Sequence, residues 1–146
     1  MNLNNYYLIE IQFLGYRFHG WQKQPKLKTV HLMIDRTINY VLENNKFKTL
    51  GTGRTDAMVS ANQTAFELFT EIALSNLEEF LDLVNTNLPQ DIRALTIKKV
   101  TKEFNVINHS KIKEYKYLFS EGTKNHPFCA PFITTFLDSL SIDLMK

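Results

Sequence analysis

Two amphipathic helical stretches, each set between runs of alternating apolar and polar residues, do most to limit what this chain can fold into. The first, Val30 to Asn44, places Val30, Met33, Ile34, Ile38, Val41 and Leu42 at helical spacing, with Thr29 as its cap and Asn44-Asn45 as its stop. The second, "SNLEEFLDLVNTN", opens on Ser75 with Glu78 in the capping-box position. Its apolar stripe is Leu77, Phe80, Leu81 and Val84, and Pro89 ends it. Strand-like runs surround both helices: Tyr6 to Phe13, "KFKTLG" at 46–51, Gln63 to Phe69, and Asp91 to Val100. In the third of these, Ala65 and either Phe66 or Leu68 are expected to face the core. A further run, Lys113 to Glu121, puts Tyr115, Tyr117 and Phe119 on one side of an expected strand.

The order strand, helix, strand, strand, helix, strand predicts an α+β, ferredoxin-like (RRM-like) βαββαβ antiparallel sheet with both helices on one face. The opposite face is expected to stay open, as in sheets of this shape that stack RNA bases. Residues 1–103 are expected to form this subdomain. Residues 104–146 are read as the start of a second, related subdomain that is incomplete: "HPFCAPFITTFLDSLSIDLMK" begins a strand and a helix over Ile133 to Met145 without a closing partner.

Composition narrows the class without deciding it. An apolar fraction of 44% and a charged fraction of 22% over 146 residues suit a folded chain with a real core. A net charge of +2 does not by itself argue for a nucleic-acid partner. The single cysteine, Cys129, cannot form an internal disulfide and fits a reducing, cytoplasmic setting. No Cys/His cluster has zinc spacing, so no metal site is expected. No apolar run of about 18 residues occurs, so no membrane span is expected.

Chemistry concentrates in "GTGRTDAMVSANQTAFE", Gly51 to Glu67. Gly51-Thr-Gly53 lacks the lysine of a phosphate loop and leads into a strand. Arg54 and Asp56, separated by one residue, fall on one side of an extended segment. A guanidinium beside a carboxylate keeps it ionised, and an ionised Asp can act as nucleophile or electrostatic stabiliser. The plain alternative is a surface turn with an ion pair of little energetic value. Trp21 has two readings, an RNA contact or an anchor for its loop. Three lysine groups flank these segments: Lys23, Lys26 and Lys28; Lys98, Lys99 and Lys102; Lys111, Lys113 and Lys116. Each is a solvated face or part of a phosphate-tracking surface.

"GRTDAMVSA", Gly53 to Ala61, resembles the catalytic motif of tRNA pseudouridine synthases of the TruA type, G-R-T-D-A-x-V-[HS]-A. "GYRFHGWQKQP", "NTNLPQDI" and "KEYKY" resemble three further family segments in the expected order. The resemblance implies that Asp56 is the nucleophile acting on a uridine, and that Arg54 pairs with it and helps flip the base. It implies that Tyr115 stacks on the uracil, with Gln63, Trp21 and Lys113 as further substrate contacts. It also implies tRNA as partner, uridines at positions 38–40 of the anticodon stem-loop as targets, no cofactor, and a homodimer. The sequence departs from the pattern at Met58, where the family usually has glycine, and at Ile107, where it has arginine. The family also runs to roughly twice this length. A non-catalytic RNA-binding domain, or an inactive fragment of such an enzyme, therefore stands as the alternative.

Overall fold

A computed structural model describes residues 3–109 and 112–145. Lys111, counted above in one lysine group, lies outside them. The chain divides into two compact units, 1–111 and 112–146.

The first unit runs β1 (Asn5–Phe13), α1 (Val30–Val41), β2 (Phe47–Gly51), β3 (Ala61–Thr70), α2 (Leu77–Asn87) and β4 (Ile92–Lys99). Its four strands lie in the order β2-β3-β1-β4, with every pairing antiparallel. This is the ferredoxin-like arrangement expected from the element order. One face of the sheet carries Tyr7, Ile9, Ile11 and Phe13 from β1, Phe66 and Leu68 from β3, and Ile92 and Ala94 from β4. Against it pack Val30, Ile34 and Ile38 of α1 and Phe80 and Val84 of α2. Both apolar stripes therefore meet the same face. Burying them there is the main favourable term, at about 25 cal/mol per Å² of apolar surface removed from water.

Thr29 caps α1 as expected, its hydroxyl accepting from the Leu32 amide at 3.3 Å. The helix ends at Val41, earlier than the sequence suggests, because Glu43 and Asn44 turn into left-handed conformations at φ 50° and 64°. The cap of α2 is Asn76 rather than Ser75. Its carboxamide oxygen accepts from the Glu78 and Glu79 amides at 3.1 and 3.2 Å, a reach that Ser75, one residue further out, lacks. In β3 both Phe66 and Leu68 face the core, and the two-residue period then sends Ala65 to the opposite face.

Part of that opposite face is covered. Residues 104–109 fold over it, burying Val106 and, beneath it, Glu67 at 1% exposure. The Val106 amide donates to Glu67 Oε2 at 3.2 Å, while Oε1 has no partner among the described residues. Burial raises the Glu67 carboxyl above the usual carboxylate range, against the Val106 hydrogen bond and the charges of His109 and Lys48, which pull it down. The native state thus holds this proton more tightly than the unfolded chain does. Its contribution to stability is complete below the unfolded value and is lost as pH rises through the folded value. Glu67→Gln is expected to raise the urea midpoint at pH 7–8, with the gain shrinking towards pH 4. An equal effect at both ends of that range would show that burial of the charge is not the cause.

The second unit pairs β5 (Phe119–Glu121) with β6 (Thr134–Phe136) in parallel. Asn125 Nδ2 bridges the Ser120 and Thr135 hydroxyls, and Phe119 meets Phe136 edge-on at 5.9 Å. The strand expected over Lys113–Glu121 forms only at Phe119–Glu121. Alternation alone does not hold a strand, because its amides and carbonyls need a ladder partner; residues 112–117 have none among the described residues, and Leu118 offers only its carbonyl, which accepts from the Thr134 amide at 3.0 Å. None of the described residues of this unit is buried.

Candidate active-site loop

The motif segment leaves β2 at Gly51 and returns as β3 at Ala61, so residues 52–60 form a loop at one end of the sheet. It is held from the side by the loop that follows β1. The Gly15 amide donates to Ser60 Oγ at 2.9 Å, the Met58 amide to the Phe18 carbonyl at 3.1 Å, and the Trp21 amide to the Thr55 carbonyl at 3.0 Å. Two glycines let the backbones touch. A Cβ on Gly15 would lie 1.9 Å from the Val59 carbonyl oxygen. On Gly20, at φ +79°, it would lie 2.6 Å from that of Thr55, so side chain and conformation both demand glycine there.

Trp21 explains Gly51 in the same way. The indole is buried at 5% exposure, and a Cβ on Gly51 would lie 2.5 Å from it. It stacks on His31 at 5.5 Å and leans on Phe13. This packing fits the reading of Trp21 as an anchor for its loop. Behind it runs a polar chain. His31 Nε2 lies 2.7 Å from Thr49 Oγ1, the Thr49 hydroxyl donates to Asp35, and Lys23 pairs with Asp35. Because the Thr49 proton is committed to Asp35, His31 donates from Nε2, which fixes its tautomer. Burial lowers the His31 pKa, and Lys23 lowers it further against the pull of Asp35, so the neutral ring is favoured. The first loop, α1 and β2 are thereby tied together beneath the motif.

Arg54 and Asp56 are both exposed, while the Thr55 hydroxyl between them is buried, so the alternation places the two charges on one outer side. They do not form the expected ion pair. Neither side chain has an ionic or hydrogen-bonding partner among the described residues. At an exposed site both groups keep their hydration, and a pair gains little from the attraction. Gln63 is exposed on β3 and donates to Glu10 at 3.3 Å. Tyr115, 77% exposed, and Lys113 belong to the second unit, in the segment without a ladder. Met58 sits at φ +66°, which accounts for the glycine that the family pattern has at this position. A side chain there costs about 1–2 kcal/mol.

Other motif residues prove structural. Asn85 clasps the backbone of Ala94 from both sides, donating to its carbonyl at 2.9 Å and accepting from its amide at 2.8 Å, and so joins α2 to β4. Asp91 accepts from the Arg17 guanidinium at 2.8 Å, and its carbonyl takes the Leu14 amide at 2.9 Å, docking the first loop from below. These roles connect segments far apart in sequence, and spacing alone does not show them. The nearest signal was that "GYRFHG" and "NTNLPQDI" stood out as motifs without assigned chemistry.

Fold and loop together define a class: a ferredoxin-like domain that presents a carboxylate on a glycine-clamped loop between two strands. No family model matches the chain. It is 34% identical over 126 residues to tRNA pseudouridine synthase A of Aquifex aeolicus, an alignment that takes in 86% of this chain and 52% of that protein. The protein of the same name in Mesoplasma florum is 32% identical, over 82% of this chain and 47% of the relative. That of Streptococcus pyogenes serotype M49 is 32% identical, over 96% and 56%. By sequence the chain is similar to these tRNA pseudouridine synthases, and it spans about half the length of the curated relatives it matches.

Proposed function

We propose that this chain carries the catalytic loop of a tRNA pseudouridine synthase, isomerising uridine to pseudouridine at positions 38–40 of the anticodon stem-loop. The observation that carries the reading is the presentation of Asp56. Its carboxylate is exposed and unengaged, on a loop fastened by two backbone hydrogen bonds and by the Ser60 hydroxyl, within the segment that resembles the family's catalytic motif. A nucleophile needs both properties, access to the ribose and a fixed approach. Asp56 attacks C1′ of the target uridine as the C1′–N1 bond breaks; the base turns and reattaches through its C5 carbon, which displaces the Asp56 carboxylate from C1′, while the C5 proton is lost to solvent and N1 takes one up. Arg54, on the same outer side, helps hold the flipped nucleotide, whose extrusion costs a few kcal/mol. Tyr115 stacks on the uracil, and Gln63 and Lys113 contact the substrate. Trp21 serves the substrate through the loop it anchors. The enzyme acts as a cytoplasmic homodimer without a cofactor.

A second reading is an RNA-binding domain without catalysis. One assay separates the two. Unmodified tRNA transcript is incubated with the purified chain, and pseudouridine is mapped by carbodiimide labelling. Product at 38–40 is expected. Binding of the same transcript without product would establish the second reading.

A further inference from the structure

Beside the first loop, a cavity of about 390 Å³ is lined by Lys26, Leu27, Lys28, Leu32, Met33 and Arg36. Its charges are all positive. Neighbouring cations are neutralised, Lys23 by Asp35 and Arg17 by Asp91. Lys26, Lys28 and Arg36 have no acidic partner among the described residues. Lys23, grouped with them by sequence, is thereby removed from the set, and Arg36 joins it one helical turn along α1 from Leu32 and Met33. Lys28 is not loose: its ammonium lies over the Phe18 ring at 4.9 Å. Phe18 is buried, and its carbonyl takes the Met58 amide, so the cavity and the motif loop share one support.

We propose that this cavity is a phosphate-binding subsite for the RNA backbone, with Lys26, Lys28 and Arg36 on the phosphates and the floor of Leu27, Leu32 and Met33 against a ribose. Three like charges around one concavity repel each other, and a polyanion relieves that repulsion while its condensed counterions are released. A free anion satisfies the charges but leaves the apolar floor unused, whereas a nucleotide strand uses both. The inference rests on the functional reading only in taking tRNA as the RNA.

The test is the salt dependence of binding, measured with fluorescently labelled unmodified tRNA. The variant Lys26→Gln/Lys28→Gln/Arg36→Gln is expected to weaken binding about tenfold near 0.1 M salt and to flatten the log–log salt slope by about two. The control Lys98→Gln/Lys99→Gln/Lys102→Gln removes the same net charge from the end of β4 and should change both quantities much less. Equal losses in the two variants would overturn the proposal, since net charge alone would then explain them. So would relief of tRNA binding by millimolar pyrophosphate to the same degree in the cavity variant as in the native chain. If the expected binding pattern appears without any pseudouridine, the subsite stands and only the catalytic reading fails.

Discussion

Asp56→Asn is expected to abolish pseudouridine formation, lowering the single-turnover rate on the order of 10⁴-fold or more, while leaving the thermal midpoint and tRNA affinity close to native. The size follows from the role: removing a covalent nucleophile typically costs that much, and the remaining binding surface supplies only residual catalysis. The selectivity follows from the structure. Asp56 is exposed and makes no side-chain hydrogen bond or ion pair among the described residues, so the carboxamide disturbs no contact on which the fold depends. Had Asp56 been paired with Arg54, the same substitution would also have broken an ion pair and mixed stability with chemistry. Folded, tRNA-binding Asp56→Asn protein that still yields pseudouridine would remove this residue from the nucleophile's role. Arg54→Ala adds a second axis. With no ion pair to break, its effect should fall on the step that extrudes the base and should shrink on a substrate with an unpaired target uridine.

How much of this was legible beforehand depends on the range of the interaction. The four strands and two helices of the first unit were readable because periodicity and caps are local, and each stripe could be buried only against a sheet. The structure departs from the local patterns chiefly where a distant partner decides, and at helix ends by a residue or a few. Lys113–Glu121 alternates well, yet only Phe119–Glu121 finds a strand to pair with. The sheet's second face looked open, but residues 104–109 return to cover Glu67, a placement that no local pattern announces. Ser75 and Asn76 are both good caps, and one residue of reach decided for Asn76. At the candidate site the motif draws attention to the loop that exposes Arg54 and Asp56. It did not reveal that their charges stay apart, nor that Gly15, Gly20 and Ser60 hold the loop in place. Those contacts cross from one loop to another about 35–45 residues away.

Gly15→Ala should show how far catalysis depends on that clamp. The added methyl would sit 1.9 Å from the Val59 oxygen and 2.4 Å from its carbonyl carbon. Both are backbone atoms, so no side chain can swing aside, and one loop must move by about an ångström or more to reach ordinary contact. The movement also pulls the Gly15 amide from Ser60 Oγ. Overpacking of this kind costs about 1–3 kcal/mol, read as a fall in the urea midpoint. Displacing a reacting group by about 1 Å costs on the order of 10²-fold in rate. Loss of rate should therefore exceed what the unfolded fraction explains, and it should appear in kcat more than in KM, because the loop that moves carries Asp56. Gly122→Ala is the contrasting case. Gly122 lies at φ +87°, but a Cβ there meets nothing within 4 Å, so the substitution brings backbone strain without a clash. If Gly15→Ala cost no more than Gly122→Ala in either midpoint or rate, the close approach of the two loops would not be what fixes the carboxylate.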